Sequence, residues 1–101
     1  MMERKTYGQF CALARGLDRV GDRWTLLVVR ELLLGPATFQ SLEAALAGIS
    51  PNLLADRLRG LVADGLATRS TAPVRSKRVR YQLTKHGAQL EPAIVELIRW
   101  G

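Results

Sequence analysis

Between Arg57 and Lys85 the sequence carries eight basic side chains (Arg57, Arg59, Arg69, Arg75, Lys77, Arg78, Arg80 and Lys85) against one acidic one, Asp64. That stretch holds +7, more than the +6 of the whole chain, so the remainder is slightly acidic and the positive field is local. A basic stripe confined to one segment is the electrostatic footprint of a surface for a polyanion. Twelve of the fifteen cationic residues are arginine, whose planar fork of donors matches phosphate and the guanine edge. Other chemistry finds little to work with. One cysteine, Cys11, and one histidine, His86, give no ligand set at metal spacing and no internal disulfide. There is no Gly-rich phosphate loop and no nucleophile elbow. No catalytic residue, metal or cofactor is expected, and an enzyme is disfavoured; His86 reads as a surface histidine.

Something must hold the basic residues in register. Phe10, Leu13, Leu17 and Val20 recur at helical spacing, which predicts a first amphipathic helix over 10–20 ending at Gly21. A second helix, 23–34, is apolar on most sides and therefore central, and Gly35-Pro36 stops it. Ala37–Phe39 suits a short extended piece, and Leu42, Ala45 and Leu46 mark one face of a third helix ended by Gly48. Ser50 then offers an N-cap oxygen, with Pro51 at the first helical position, where a missing N–H costs nothing. Leu54, Leu58, Leu61 and Val62 form the core stripe of this fourth helix, and Asp64-Gly65 ends it. Helix, short glycine-containing turn, helix is a helix-turn-helix pattern. After Gly65 the period falls to 2: Leu66–Thr71 and Arg78–Leu83 read as two strands of a hairpin whose loop, 72–77, projects. Thr84 can cap a last helix with the stripe Leu90, Ile94, Leu97 and Ile98, kinked or restarted at Pro92. Trp24 and Trp100 are expected to pack on apolar faces.

The fourth helix turns Asn52, Ala55, Asp56 and Arg59 outward, with Arg57 on the flank. Asn can bond adenine in bidentate fashion and Arg guanine, while Ala55 admits close approach or touches a thymine methyl. Ser50 and the first-turn amides can hold a phosphate, or Ser50 can serve as a plain cap. Arg75, Lys77, Arg78 and Arg80 on the hairpin would reach the flanking backbone or minor groove.

The sequence resembles the HxlR-type winged helix-turn-helix transcription regulators. The matching stretches are Cys11 with Leu17-Asp18-Arg19-Val20-Gly21, Trp24-Thr25-Leu26-Leu27 and Arg30-Glu31-Leu32. They continue through Gly48-Ile49-Ser50-Pro51-Asn52-Leu53-Leu54, Asp56-Arg57-Leu58, Asp64-Gly65-Leu66 and Val79-Arg80-Tyr81-Gln82-Leu83-Thr84. Together they span residues 11–100. The resemblance implies an α+β fold, mainly α: a winged helix-turn-helix with a two-stranded β-wing and terminal dimerisation helices. It further implies a sequence-specific double-stranded DNA-binding regulator, a homodimeric repressor on an inverted-repeat operator. In several members a cysteine just before the first helix senses electrophiles or oxidants. Cys11 stands at that position, with Arg15 one turn on, so a redox or electrophile effector is part of the expectation. The lack of a second cysteine would require an intersubunit bridge, a small-thiol cap or an adduct.

A chain of 101 residues with 48% hydrophobic and 24% charged side chains reads as one small globular domain. Its core is thin. The stripes Phe10, Leu13, Leu17 and Ile94, Leu97, Ile98 exceed what that core can cover, and with Trp100 they form the expected dimer interface. Apolar runs such as Leu26–Val29 are far too short to span a bilayer, and no signal peptide is evident; a cytoplasmic location is expected. Family members commonly run further than Trp100-Gly101, so the single domain expected over 1–101 is open to C-terminal truncation. A different class of function, a winged-helix module whose basic wing meets an acidic protein partner, fits the same charge pattern.

Overall fold

The computed structural model describes residues 11–71 and 79–101. Helix α1 (Ala12–Val20) starts two residues later than the periodicity suggests, with Cys11 as its N-cap; Phe10 lies outside the described residues. Nothing on α1 is buried. Helix α2 (Arg23–Leu32) is the central one and buries Thr25, Val28, Val29 and Leu32. It begins where the Asp22 carboxylate accepts the N–H groups of Trp24 and Thr25 at 2.8 and 3.1 Å, satisfying donors that the first helical turn leaves unpaired. It stops two residues before the expected end. Leu34 and Gly35 donate back three residues, to the carbonyls of Glu31 and Leu32, in a tightened last turn that leaves Leu34 84% exposed.

The connection after α2 becomes β1 (Ala37–Thr38), which runs straight into α3 (Phe39–Ala45). Thr38 and Ser41 form a reciprocal capping box there. Gly48, at φ +96°, makes the turn to α4 (Pro51–Ala63) in a conformation that side chains with a Cβ rarely adopt. Ser50 caps α4 by accepting the Leu53 N–H at 3.1 Å. Strands β2 (Ala67–Thr71) and β3 (Val79–Leu83) pair antiparallel, with Arg69 opposite Tyr81. The expected two-stranded wing is a three-stranded sheet of order β1-β3-β2, because Ala37 and Thr38 pair with Tyr81 and Arg80. Two residues are too few to show alternation, so the strand has no periodic signature.

The expected last helix is two: α5 (Lys85–Ala88) and α6 (Glu91–Trp100), the latter restarting with Pro92 in its first turn. Thr84 joins them to the rest. Its hydroxyl accepts the Gly87 N–H at 3.1 Å and donates to the Gly65 carbonyl at 2.7 Å, fastening the base of the wing to the end of α4. A Cβ on Gly87 would stand 2.0 Å from the Leu66 carbonyl oxygen, so α5 approaches that turn only because residue 87 has no side chain. The core lies between α2, α4 and the sheet, around Val28, Val29, Leu54, Leu58 and Leu61. Val62, expected in that stripe, is 37% exposed; its face of α4 looks past the sheet instead of into it. No helix among the described residues is long and apolar enough to cross a membrane.

Candidate nucleic-acid interface

The buried stripe of α4, Leu54, Leu58 and Leu61, fixes what the opposite side shows. Asn52, Asp56 and Arg59 are exposed, Ala55 is half-buried, and Ser50 is exposed at the helix start. Ser50 is engaged as a cap. Asp56 sits between two guanidinium groups: Arg57 Nη1 donates to its Oδ2, and Arg59 Nη2 lies 3.5 Å from its Oδ1. The carboxylate is therefore locally neutralised, and the face formed by Asn52, Asp56 and Arg59 carries no net charge. Arg59 is 73% exposed and retains most of its donors for an external partner. On the sheet, Arg80 is exposed on the side away from the core, since Val79, Tyr81 and Leu83 alternate inward. Arg75, Lys77 and Arg78 lie outside the described residues.

Arg57 has a different place. Its Nε and Nη2 donate to the two oxygens of Asp22 at 3.0 and 3.1 Å, a bidentate fork from α4 to the N-cap of α2. Asp22 thus receives two backbone N–H groups and two guanidinium N–H groups. Hydrogen bonding from Arg57 lowers its carboxyl below the ordinary value, helped by the Thr25 and Trp24 amides against a smaller desolvation effect. The same pair raises Arg57. With its fork occupied by Asp22, Arg57 ties α4 to the start of α2. Nothing local in the sequence marks this pair, whose members are 35 residues apart; the N-cap role of Asp22 was readable from its place before the apolar run of α2.

The terminal helices expose Leu13 and Leu17 on α1 and Leu97, Ile98 and Trp100 on α6. Two expectations are corrected here. Ile94, assigned to this surface, is buried in the chain's own core, because the first turns of α6 lean on α2. Trp100, expected to pack, is 87% exposed, whereas Trp24 does pack against the core and carries Arg23 over its ring at 5.1 Å. Cys11 is half-buried, and its side chain makes no capping hydrogen bond. His86 is exposed, with Nδ1 3.3 Å from Gln89 Oε1. Among the described residues no group of three or more His, Cys, Asp and Glu could hold a metal.

A helix-turn-helix with an outward polar helix and a small antiparallel sheet beside it has a counterpart among known proteins. The family model of the HxlR-like helix-turn-helix matches residues 19–101. The chain belongs to the HxlR-like helix-turn-helix family. It is 35% identical over 86 residues to the uncharacterized HTH-type transcriptional regulator YvaP of Bacillus subtilis, covering 85% of this chain and 80% of YvaP. It is 42% identical over 90 residues to the uncharacterized HTH-type transcriptional regulator Mb3122 of Mycobacterium bovis, where 89% of this chain spans 56% of the relative. Among solved structures, the redox regulator HypR in its oxidized form superposes with a TM-score of 0.84 at 28% identity, over 90% of this chain and 94% of that one. The HxlR-type winged helix fold is thereby shown, and with it the class: a helix-turn-helix transcription regulator rather than an enzyme.

Proposed function

We propose that this HxlR-family protein is a homodimeric repressor that reads an inverted-repeat operator with α4. The observation that carries the reading is the division of α4 into a fully buried Leu54, Leu58, Leu61 stripe and an exposed Asn52, Asp56, Arg59 face. Asn52 and Arg59 take the base-reading roles in a major groove, beside which Ala55 allows close approach. Arg80 and the hairpin residues Arg75, Lys77 and Arg78 take the flanking backbone. Two-fold symmetry would set the two α4 helices about one DNA turn apart, roughly 34–36 Å. The exposed apolar residues of α1 and α6 supply the surface for the second copy; five large side chains left in water, Leu13, Leu17, Leu97, Ile98 and Trp100, need a cover that the described residues do not provide.

The likeness to a structure described as an oxidized redox regulator supports the further reading that Cys11 responds to electrophiles. It sits at the N-cap of α1, on the helix assigned to the dimer, so an adduct or an intersubunit bond there would disturb the spacing of the two α4 helices.

The test is a titration of selected genomic duplexes against random ones over a range of salt. A regulator of this kind shows a steep salt slope set by several phosphate contacts and a clear preference for particular sequences. Equal affinity for all duplexes overturns operator reading. Diamide or a quinone should release the operator from the reduced protein but not from Cys11→Ser; identical behaviour of the two proteins removes Cys11 from the mechanism.

A further inference from the structure

Where α4 passes the inner face of the sheet, the two elements part and leave a groove of about 600 Å³, within the size range of small-molecule sites. Its floor continues the core outward: Leu58, almost fully buried, with the exposed side of Val62 and the rings of Phe39 and Tyr81 beside it. Its rim carries two guanidinium groups, Arg59 from α4 and Arg69 from β2. Arg69 stands opposite Tyr81 in the strand register and donates its Nε to the Tyr81 hydroxyl at 3.3 Å. That bond holds the Arg69 side chain beside the groove, and its terminal nitrogens make no other bond among the described residues. No carboxylate lines the groove; Asp56, outside the lining, lies 3.5 Å from Arg59 Nη2 and is shared with Arg57, so Arg69 is the rim arginine without a carboxylate partner among the described residues.

We propose that this groove is a binding site for a small planar aromatic carboxylate, and that its occupation competes with DNA. An apolar floor under two arginines calls for a ligand with both an apolar body and a compact negative charge. A phosphodiester has the charge and no use for the floor; a neutral aromatic has the body and leaves the forks unmatched. A carboxylate accepts two parallel N–H bonds from an arginine fork, and a flat ring lies against Tyr81, Phe39 and the guanidinium planes at low conformational cost. Competition follows from Arg59, which belongs to the outward face of α4 and to the groove rim at once. The competition rests on the reading of α4 as the DNA-entering helix; the binding itself does not.

The probe is 2-naphthoate, titrated by calorimetry into the whole chain without DNA, with 2-naphthamide as the uncharged control. The expected result is saturable binding, one per protomer, with a dissociation constant of about 1 mM or tighter. The amide and the Arg69→Met variant should each bind about tenfold more weakly. Resonance shifts should centre on Phe39, Val62 and Tyr81 in the unmodified protein, a readout that stands even if Arg69→Met folds poorly. Equal affinity for the amide, no effect of Arg69→Met in a variant that melts normally, shifts centred elsewhere, or no saturation at about ten times that concentration each overturn the site. In the second arm, naphthoate should weaken the selected duplex by the same factor by which the duplex weakens naphthoate. Unchanged duplex affinity in naphthoate-saturated protein overturns the competition. Failure of the protein to bind any duplex would instead overturn the DNA reading and leave the naphthoate titration interpretable.

Discussion

The ion pair between Asp22 and Arg57 lends itself to a quantitative test, because its two functions can be separated chemically. Asp22→Asn keeps a side-chain oxygen that caps α2 about as well as aspartate does, so the bonds to the Trp24 and Thr25 amides survive, while the charge and the Oδ2 acceptor of Arg57 Nη2 are lost. Arg57→Met removes the fork and retains much of the stem. The side chains of Asp22 and Arg57 are 42% and 28% exposed, and solvent screening keeps such pairs within about 0.2–1 kcal/mol. The bidentate geometry and the partial burial of Arg57 place this one at the upper end, a coupling of about 1 kcal/mol in a double-mutant cycle. Asp22→Ala also loses the cap and should cost about 2 kcal/mol in all. Urea unfolding at pH 7 measures each term from the midpoint at constant slope.

The same pair makes a signed prediction in acid. Arg57 holds the Asp22 carboxyl below its ordinary value, so its contribution is fully present above the unfolded-state value near 3.9. It is lost as pH falls through the lower folded value, while Arg57 stays charged throughout. The stability gap between the natural protein and Asp22→Asn should therefore be constant from about pH 5 to 8 and shrink in acid as Asp22 becomes protonated in the folded state. DNA binding offers an orthogonal readout. If Arg57 positions α4 without touching phosphate, Arg57→Met lowers affinity with no change in salt slope, whereas loss of one phosphate contact lowers the slope by about 0.9. A coupling under about 0.3 kcal/mol, a gap that persists into acid, or a lowered salt slope would each refute the assignment of Arg57 to positioning.

Three further outcomes are expected. Asn52→Ala and Arg59→Ala should lose discrimination at particular base pairs, about 1–3 kcal/mol each, while Arg75→Ala and Lys77→Ala weaken every duplex alike; a panel of singly substituted operators separates the two patterns, and uniform loss for all four rejects base reading by α4. Replacing Leu97 and Ile98 by Asp should give a monomer by sedimentation, and a natural protein that sediments as a monomer at micromolar concentration counts against the α1 and α6 surface. Gly87→Ala forces a Cβ onto the Leu66 carbonyl and should cost about 1–3 kcal/mol in a urea titration, with an unchanged midpoint showing that α5 moves away freely.

What could be read from the residues alone follows the range of the forces involved. The start of α4 was legible because Ser50 and Pro51 act within one helical turn, and its buried face because Leu54, Leu58 and Leu61 repeat at helical spacing. A periodic stripe says that a face is apolar without saying what covers it. Hence α6 was legible as amphipathic, while the division of its stripe between the chain's own core at Ile94 and open surface at Leu97 and Ile98 was not. Val62 failed for the same reason: helical spacing places it beside Leu58 and Leu61, but only the divergence of the sheet decides that its face borders a groove. Charge is still less local. Arg57, Arg59 and Arg69 are equal in a count of basic residues, yet one is held by an aspartate 35 positions away, one stands in solvent beside Asp56, and one is fixed by a cross-strand tyrosine. Their roles differ because a guanidinium has a direction as well as a charge, and direction is set by tertiary neighbours. A basic segment therefore locates a cationic surface, and which of its guanidinium groups are engaged within the fold and which stand open to an external partner emerges only from their neighbours.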